Sequence, residues 1–357
     1  MFQKSASSRE DNSVLQDSST RGSTGGREPI HVIGAGVAGA WQALSFAKAG
    51  FAVTLFERDD AAMTQATSHF AGGMLAPWCE RETSEPLITR LGVRSLDLWR
   101  EELPDTPFNG SLVLAHARDR SDFERFARLT SDYERLDASG VAALEPSLSG
   151  RFRDALFFRH EGHVEPRRVL PKLHDKLKAA GGEIRFDTEC ETEDLAKDAR
   201  AVIDCRGLAA RDAMPDLRGV KGEMIIVETG EVQLSRPVRV MHPRWPLYMI
   251  PREENIFMIG ATSIESEDDR VSVRSALELL SAAYALHPAF GEARILEVGA
   301  GLRPALPDNL PRIAIDRNKI SVNGLYRHGF LIAPALAELT VNYVKRGVID
   351  NEVMQCS

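Results

Sequence analysis

Three glycines, Gly34, Gly36 and Gly39, stand in the pattern G-x-G-x-x-G. Each has a task beside a phosphate. The first admits a tight turn, the second lets a pyrophosphate reach the backbone, and the third lets a helix pack closely on a strand. The apolar run at residues 30–33 reads as a strand. The stretch that follows, to about Ala49, reads as a helix stopped by Gly50, and its free N–H groups suit an anion. Glu57 comes eighteen residues after the last glycine and ends a second apolar strand at 52–56. A carboxylate in that place accepts two ribose hydroxyls. An acid there disfavours a 2′-phosphate, so NADP is the least expected dinucleotide. The alternative is three loop glycines and a solvated glutamate. Strand, turn, helix and acid occurring together argue against it.

Two further segments bear on which dinucleotide is bound. Ser68-His69-Phe70-Ala71-Gly72-Gly73-Met74-Leu75-Ala76-Pro77 is a second glycine-containing apolar loop, whose backbone can lie against a flat ring. Near the far end, Gly324-Leu325-Tyr326-Arg327-His328-Gly329-Phe330-Leu331-Ile332-Ala333-Pro334 leads into a final helix. The positive end of that helix suits the edge of a flavin that gains negative charge on reduction. Taken by itself, the segment reads equally well as a buried helix with a glycine and proline start.

The elements that must carry these residues follow from periodicity and punctuation. Helices are expected at 85–100, at 122–129 and from Pro166 to the Gly181-Gly182 stop. Strands are expected at 183–186, 201–204, 223–228, 247–251 and 256–260, the last two joined by a hairpin loop at 252–255. A strand at 320–322 precedes a helix from about Gly329 to Arg346. No internal repeat is visible. Residues 30–47 are nearly free of charge, but a strand, a glycine turn and a helix explain them better than a membrane span.

The whole chain has 357 residues, 43% of them hydrophobic and 27% charged, with a net charge of -8. That composition is globular, long enough for a buried cofactor, and ill suited to nucleic acid or an anionic membrane. The four cysteines, Cys79, Cys190, Cys205 and Cys356, form no C-x-x-C pair. A disulfide framework or zinc ribbon has no support, and a reducing cytoplasm is the expected location. Residues 1–28 are rich in Ser, Thr and Gly and read as a flexible tail. They lack the apolar core of a secretory signal, and Glu10, Asp11 and Asp17 argue against a transit peptide.

Five blocks occur in one order after the fingerprint: Ala71-Gly72-Gly73-Met74-Leu75, Leu247-Tyr248-Met249-Ile250-Pro251-Arg252, Gly260-Ala261-Thr262, Gly301-Leu302-Arg303-Pro304 and Gly329-Phe330-Leu331-Ile332-Ala333-Pro334. Together they resemble the glycine oxidase branch, tied to thiamine biosynthesis, of the D-amino-acid oxidase family of flavoenzymes. The resemblance covers nearly everything after the tail. It implies an α/β fold in which a Rossmann-like FAD-binding domain interleaves with a mostly antiparallel substrate domain. The expected partition gives residues 29–90, 151–219 and 299–357 to the first and 91–150 and 220–298 to the second. The implied activity is oxidation of glycine, or a similarly small amino acid, to an imine. Non-covalent FAD takes the hydride, and molecular oxygen leaves as hydrogen peroxide. The expected partners are thus a small amino acid and oxygen, without nucleic acid or membrane, with a homo-oligomer possible.

By the same resemblance, Arg303 holds the substrate carboxylate, a task that suits a guanidinium fork. Tyr248 gives that carboxylate a second contact, and Arg327 lies near the flavin or guards the entrance. Outside the resemblance each has a plainer reading, as a surface arginine, a core tyrosine and a helix-start arginine. The expected cofactor residues are Gly34, Gly36, Val37, Ala38, Gly39, Glu57 and Arg58; Ser68, Gly72, Gly73 and Met74; and His328, Gly329, Phe330 and Leu331. His328 stands where relatives often carry Asn, and a capping or loop histidine is its alternative. Ser263 stands where some relatives carry Met, which leaves the pocket size open. No adenine contact carries over to the polar segment around residues 190–199.

Several residues with chemical potential find no role. Cys205 has no histidine placed with it, Cys79 shows no sign of a flavin link, and no H-x-x-x-H spacing exists for a metal. The acidic run at 265–269 lacks the glycine and terminal glutamate of a calcium loop. Three other functions remain distinguishable by assay. They are a flavin-dependent dehydrogenase of the sarcosine, proline or D-amino-acid type with a non-oxygen acceptor, an NAD dehydrogenase, and a nucleotide-binding module without catalysis.

Overall fold

The computed structural model describes residues 28–241 and 247–356. The expected tail at 1–28 therefore lies almost wholly outside the described residues. In chain order the elements are β1 (Ile30–Ile33), α1 (Val37–Lys48), β2 (Val53–Phe56), β3 (Met74–Leu75), α2 (Pro86–Glu102), β4 (Ser111–Ala115), α3 (Arg120–Leu129), β5 (Glu134–Asp137), α4 (Ala138–Leu144), β6 (Asp154–Phe158), β7 (Gly162–His163), α5 (Pro166–Ala179), β8 (Glu183–Arg185), α6 (Thr192–Leu195) and β9 (Ala201–Asp204). The second half carries β10 (Arg218–Glu228), β11 (Val238–Met241), β12 (Leu247–Pro251), β13 (Ile256–Gly260), α7 (Val273–Leu286), β14 (Arg294–Ala305), β15 (Arg312–Asp316), β16 (Lys319–Asn323), α8 (Gly329–Arg346) and β17 (Met354–Cys356).

Seven strands form one sheet in the order β17-β15-β16-β9-β1-β2-β8. Its centre is parallel: β1 lies between β2 and β9, with Ile33 opposite Phe56 and Asp204. The strand Ile-His-Val-Ile is a short, mostly apolar run because helices cover this sheet. α1 is apolar almost all round and is buried among β1, α5 and α8. Its one buried amide, Gln42, donates from Nε2 to Thr340 Oγ1 of α8 at 3.1 Å. Within α8, Pro334 has no N–H for the carbonyl four residues back, that of Phe330. The indole Nε1 of Trp99 donates to that carbonyl at 2.9 Å, and Ser95 Oγ accepts from Ala335 N at 3.1 Å. α2 thereby satisfies the start of α8, the helix whose first turn faces the site. Gly347 ends α8 with φ +69, a left-handed conformation that glycine adopts without strain.

Eight strands form the second sheet, β14-β10-β13-β12-β11-β4-β6-β5, antiparallel except for β11 beside β4. The long strands β10 and β14 pair from Arg218 opposite Ala305 to Glu228 opposite Arg294. This pairing sets Val220 opposite Arg303 and Gly222 opposite Gly301. The sequence boundaries at 219 and 298 fall inside these two strands, and the boundary at 90 falls inside α2. β6, within the stretch 151–219 assigned to the nucleotide part, instead pairs with β4 and β5 in the second sheet. A two-stranded ladder of β3 and β7 links the parts. Among the described residues no helix is long and apolar enough to cross a membrane.

Candidate active site

The nucleotide end is built by the first βαβ unit. Gly34 has φ +93, and a Cβ there would stand 2.6 Å from the Cys205 carbonyl oxygen. A Cβ on Gly39 would stand 1.7 Å from the Gly34 oxygen. Both positions therefore require glycine, the first for the turn and the third for helix-on-strand packing. Glu57 is buried, and its carboxylate is already engaged. It accepts from Ala35 N at 2.6 Å and from Asp59 N at 3.1 Å. The acid thus clamps the glycine turn to the end of β2 while still lining the cavity beside it. Ser68 Oγ accepts from Val37 N at 3.1 Å, which brings the second glycine loop onto the first turn of α1.

A cavity of about 1000 Å³ runs from this turn to the second sheet. Of the expected cofactor set, Gly34, Gly36, Val37, Ala38, Glu57, Arg58, Ser68, Gly72, Gly73, Met74, Gly329 and Phe330 line it. Gly39, His328 and Leu331 do not. Gly39 is turned into the helix–strand contact. Leu331 packs toward α2, where a Cβ on Gly92 would meet its Cγ at 3.0 Å. His328 is buried at the start of α8, and burial followed by the Arg327 charge pulls its imidazole down to about 3. It is a neutral, buried residue at the N-cap position of α8, and its side chain makes no capping hydrogen bond. Thr188, Glu189, Cys190 and Glu191 also line the cavity, near Glu57, whose carbonyl accepts from Thr188 N at 2.8 Å. No motif marks them in the sequence.

At the other end the cavity is lined by Glu80, Tyr248, Thr262, Ser263, Arg303, Tyr326 and Arg327. Arg303 reaches in from β14 and lies flat over Gly222 of β10. Its Nη1 donates to the Thr262 carbonyl at 2.9 Å. Burial pulls its guanidinium down to about 10; the nearby Tyr326 and Glu80 oppose the shift and the Arg327 charge adds to it. The group remains a cation at neutral pH, and it forms no ion pair with any carboxylate among the described residues. A buried, unpaired guanidinium is costly unless an anion joins it.

Arg327, by contrast, is paired. Its Nη2 lies 2.6 Å from Glu80 Oε2 and also donates to Thr83 Oγ1. Tyr248, from β12, donates its hydroxyl to Glu80 Oε1 at 2.6 Å. Burial raises the Glu80 carboxyl, but Arg327, His328, Arg239 and the Tyr248 hydrogen bond outweigh it and hold the group near 2. Glu80 therefore organises two of the three expected catalytic residues, and sequence reasoning missed it. It sits in Trp78-Cys79-Glu80-Arg81-Glu82-Thr83, which reads as an ordinary charged turn. The segment is held from behind by Glu161, which accepts from Trp78 N at 3.0 Å and Cys79 N at 2.8 Å. Ser263 Oγ and Tyr326 Oη, 2.7 Å apart, join two loops above Arg303.

The model of the FAD dependent oxidoreductase family matches residues 30–343. The chain belongs to this family. It is similar to a protein of Rhizobium etli provisionally named thiamine biosynthesis oxidoreductase ThiO, at 52% identity over 86% of this chain and 94% of that one. It is similar to the glycine oxidase of Geobacillus kaustophilus at 26% identity, over 90% of this chain and 93% of that one. The crystal structure of glycine oxidase from Geobacillus kaustophilus has the same fold, with a TM-score of 0.74 at 24% identity, over 89% of this chain and 95% of that one.

The residues present fit the family's cofactor, FAD. The cradle at Gly36 is open to the cavity, and the one neighbour a Cβ there would meet is Ser68 Oγ at 3.2 Å. Pyrophosphate has access to the backbone at that point. Gly72 and Gly73 line the same cavity, and the first turn of α8 presents Gly329 and Phe330 on its wall. A family oxidoreductase thus has room for a flavin between the two sheets, with Arg303 at its far end.

Proposed function

We propose that this FAD-dependent oxidoreductase oxidises glycine, or an amino acid of similar size, to the imine, with molecular oxygen as electron acceptor. The product supplies thiazole assembly in thiamine biosynthesis, as the name of the Rhizobium etli relative points to. The observation that carries the reading is the buried, unpaired cation of Arg303 at the end of a cofactor-sized cavity. An α-carboxylate matches it in charge and in fork geometry. The expected cytoplasmic location suits four free cysteines.

When bound between the glycine turn and the first turn of α8, FAD would supply the redox chemistry, accepting a hydride from the substrate and returning two electrons to oxygen as hydrogen peroxide. The chain's residues do the positioning. Arg303 grips the carboxylate, and the Thr262 carbonyl fixes the guanidinium's rotation. Gly222 supplies the floor beneath it. The Glu80–Arg327 pair keeps a second cation from competing for the carboxylate. Holding a small substrate in one orientation is worth several powers of ten in rate. The amine must be neutral to react, and where it binds already unprotonated no side-chain base is required.

The test is the absorption spectrum of the purified holoenzyme before and after anaerobic glycine. Loss of the oxidised flavin bands, followed by their return with peroxide on admitting air, is the expected result. Flavin that glycine and other small amino acids leave oxidised would refute the substrate class. Reduction by glycine with return only on adding an artificial dye would refute oxygen as acceptor.

A further inference from the structure

Gly72 and Gly73 admit no side chain. A Cβ on Gly72 would stand 2.7 Å from Ile250 Cδ1, and one on Gly73, with φ +71, would stand 2.1 Å from the Val164 carbonyl oxygen. The two residues form a strap of bare backbone along the cofactor cavity, backed by Ile250 and Val164. Such a strap has no side chains of its own to fix its peptide planes. Arg252, the first residue past β12, fixes them from behind. Its Nη2 donates to the Gly72 carbonyl at 2.6 Å and its Nη1 to the Val164 carbonyl at 2.9 Å. Val164 N in turn donates to the Gly73 carbonyl at 2.8 Å. Arg252 is not on the wall of the cofactor cavity; it lines a separate cleft with His163 and Val164. Burial pulls its guanidinium down to about 10, with Glu165 opposing the shift and Arg167 adding to it, so it is a cation at neutral pH. Among the described residues it forms no ion pair with a carboxylate. A buried cation is a costly way to satisfy two carbonyls, so its charge calls for a use.

The peptide joining Gly72 to Gly73 is trans, and its carbonyl faces Arg252. Its N–H, that of Gly73, therefore points the opposite way, toward the cavity. Among the described residues nothing accepts a hydrogen bond from it. A cationic donor on the carbonyl polarises the peptide and makes that N–H a stronger donor. We propose that Arg252 is a positioning residue for the flavin: it locks the Gly72–Gly73 peptide so that the Gly73 N–H is presented to an acceptor on the edge of the isoalloxazine ring. A ring nitrogen or carbonyl oxygen is the class of acceptor that fits. Arg252 touches neither the ring nor the substrate, and it acts through the strap alone. The inference concerns FAD, so it holds whichever amino acid is oxidised.

The experiment sets the protein's grip on FAD against its grip on ADP, which shares the nucleotide end and lacks the ring. The FAD dissociation constant is read from the flavin fluorescence released on serial dilution of the holoenzyme. The ADP constant is read from its displacement of FAD. Arg252→Met keeps most of the side chain's length and removes the charge and both donors. It is expected to weaken FAD by about 10- to 100-fold, the range for a lost hydrogen bond to a charged or strongly polarised group, and to leave ADP within threefold of native. Arg252→Lys keeps the charge and has one ammonium for two carbonyls, so it should recover part of the loss. A general structural defect would weaken both nucleotides together. FAD within threefold of native in Arg252→Met, or FAD and ADP weakened alike, overturns the inference. Should Arg252→Met not fold, Arg252→Lys decides: FAD weakened more than threefold with ADP unchanged upholds the role, and any other result overturns it.

Discussion

Gly222→Ala tests the anchor without touching it. Gly222 lies on β10, opposite Gly301 and two residues from the partner of Arg303. A Cβ built on it would stand 2.1 Å from Arg303 Nη2, 2.4 Å from Cζ and 2.9 Å from Nε. Ordinary contact begins near 3.4 Å, so the guanidinium must move by at least 1.3 Å to admit one methyl group. A side chain in solvent would swing aside at little cost. This one is buried and held by the Thr262 carbonyl, so the displacement falls on the fork that receives the carboxylate. Losing one charge-assisted hydrogen bond costs about 1.5–3 kcal/mol, which is about 10- to 150-fold in kcat/KM. The assay is kcat/KM for glycine together with the acetate dissociation constant, with flavin content and Tm as controls. Both ligands should weaken by a similar factor, since both use the carboxylate end, while flavin stays stoichiometric. Arg303→Lys, which keeps the charge and loses the fork, should fall at least as far. A folded, flavin-loaded Gly222→Ala enzyme with kcat/KM within twofold of native would show that Arg303 does not anchor the substrate.

Two other outcomes follow from the same structure. Gly36→Val should give apoprotein, because the branched side chain grows from a Cβ already 3.2 Å from Ser68 Oγ into the pyrophosphate approach; stoichiometric FAD after reconstitution would contradict the phosphate-turn reading. The buried Glu161 carboxyl is pushed up to about 8, chiefly by burial, against the hydrogen bonds from Ser111, Cys79 and Trp78. Its pKa is raised on folding, so the protonated acid stabilises the fold fully below about 4.5 and that contribution is lost as pH rises through 8. Tm should fall over that window by the equivalent of a few kcal/mol on the order of magnitude of such shifts. Glu161→Gln, which stays neutral, should flatten the slope, and an unchanged slope in that variant would assign the effect elsewhere.

Local sequence determined the nucleotide end. A strand, a glycine turn, a helix and an acid are contiguous there, and each is fixed by neighbours a few residues away. The strands at 201–204, 247–251 and 256–260 and the helix at 329–346 were legible for the same reason: apolar runs bounded by turns, or a 3.6-residue stripe closed by glycine. β14 was not legible. It reads Arg-Ile-Leu-Glu-Val-Gly-Ala-Gly-Leu-Arg-Pro-Ala, with two glycines and a proline that weaken any local preference for a strand. Its strand character comes from pairing along β10, and that pairing places Arg303. Among its relatives' ordered blocks the sequence also located Tyr248 and Arg327, but as isolated candidates. Only the tertiary structure brought Glu80 between them, since its bond to Tyr248 spans 168 positions of sequence. Such a contact leaves no periodicity and no spacing to read. The tertiary structure likewise set the partner of the Tyr248 hydroxyl, because Glu80 stays ionised there only once Arg327, His328, Arg239 and the Tyr248 hydrogen bond have outweighed its burial.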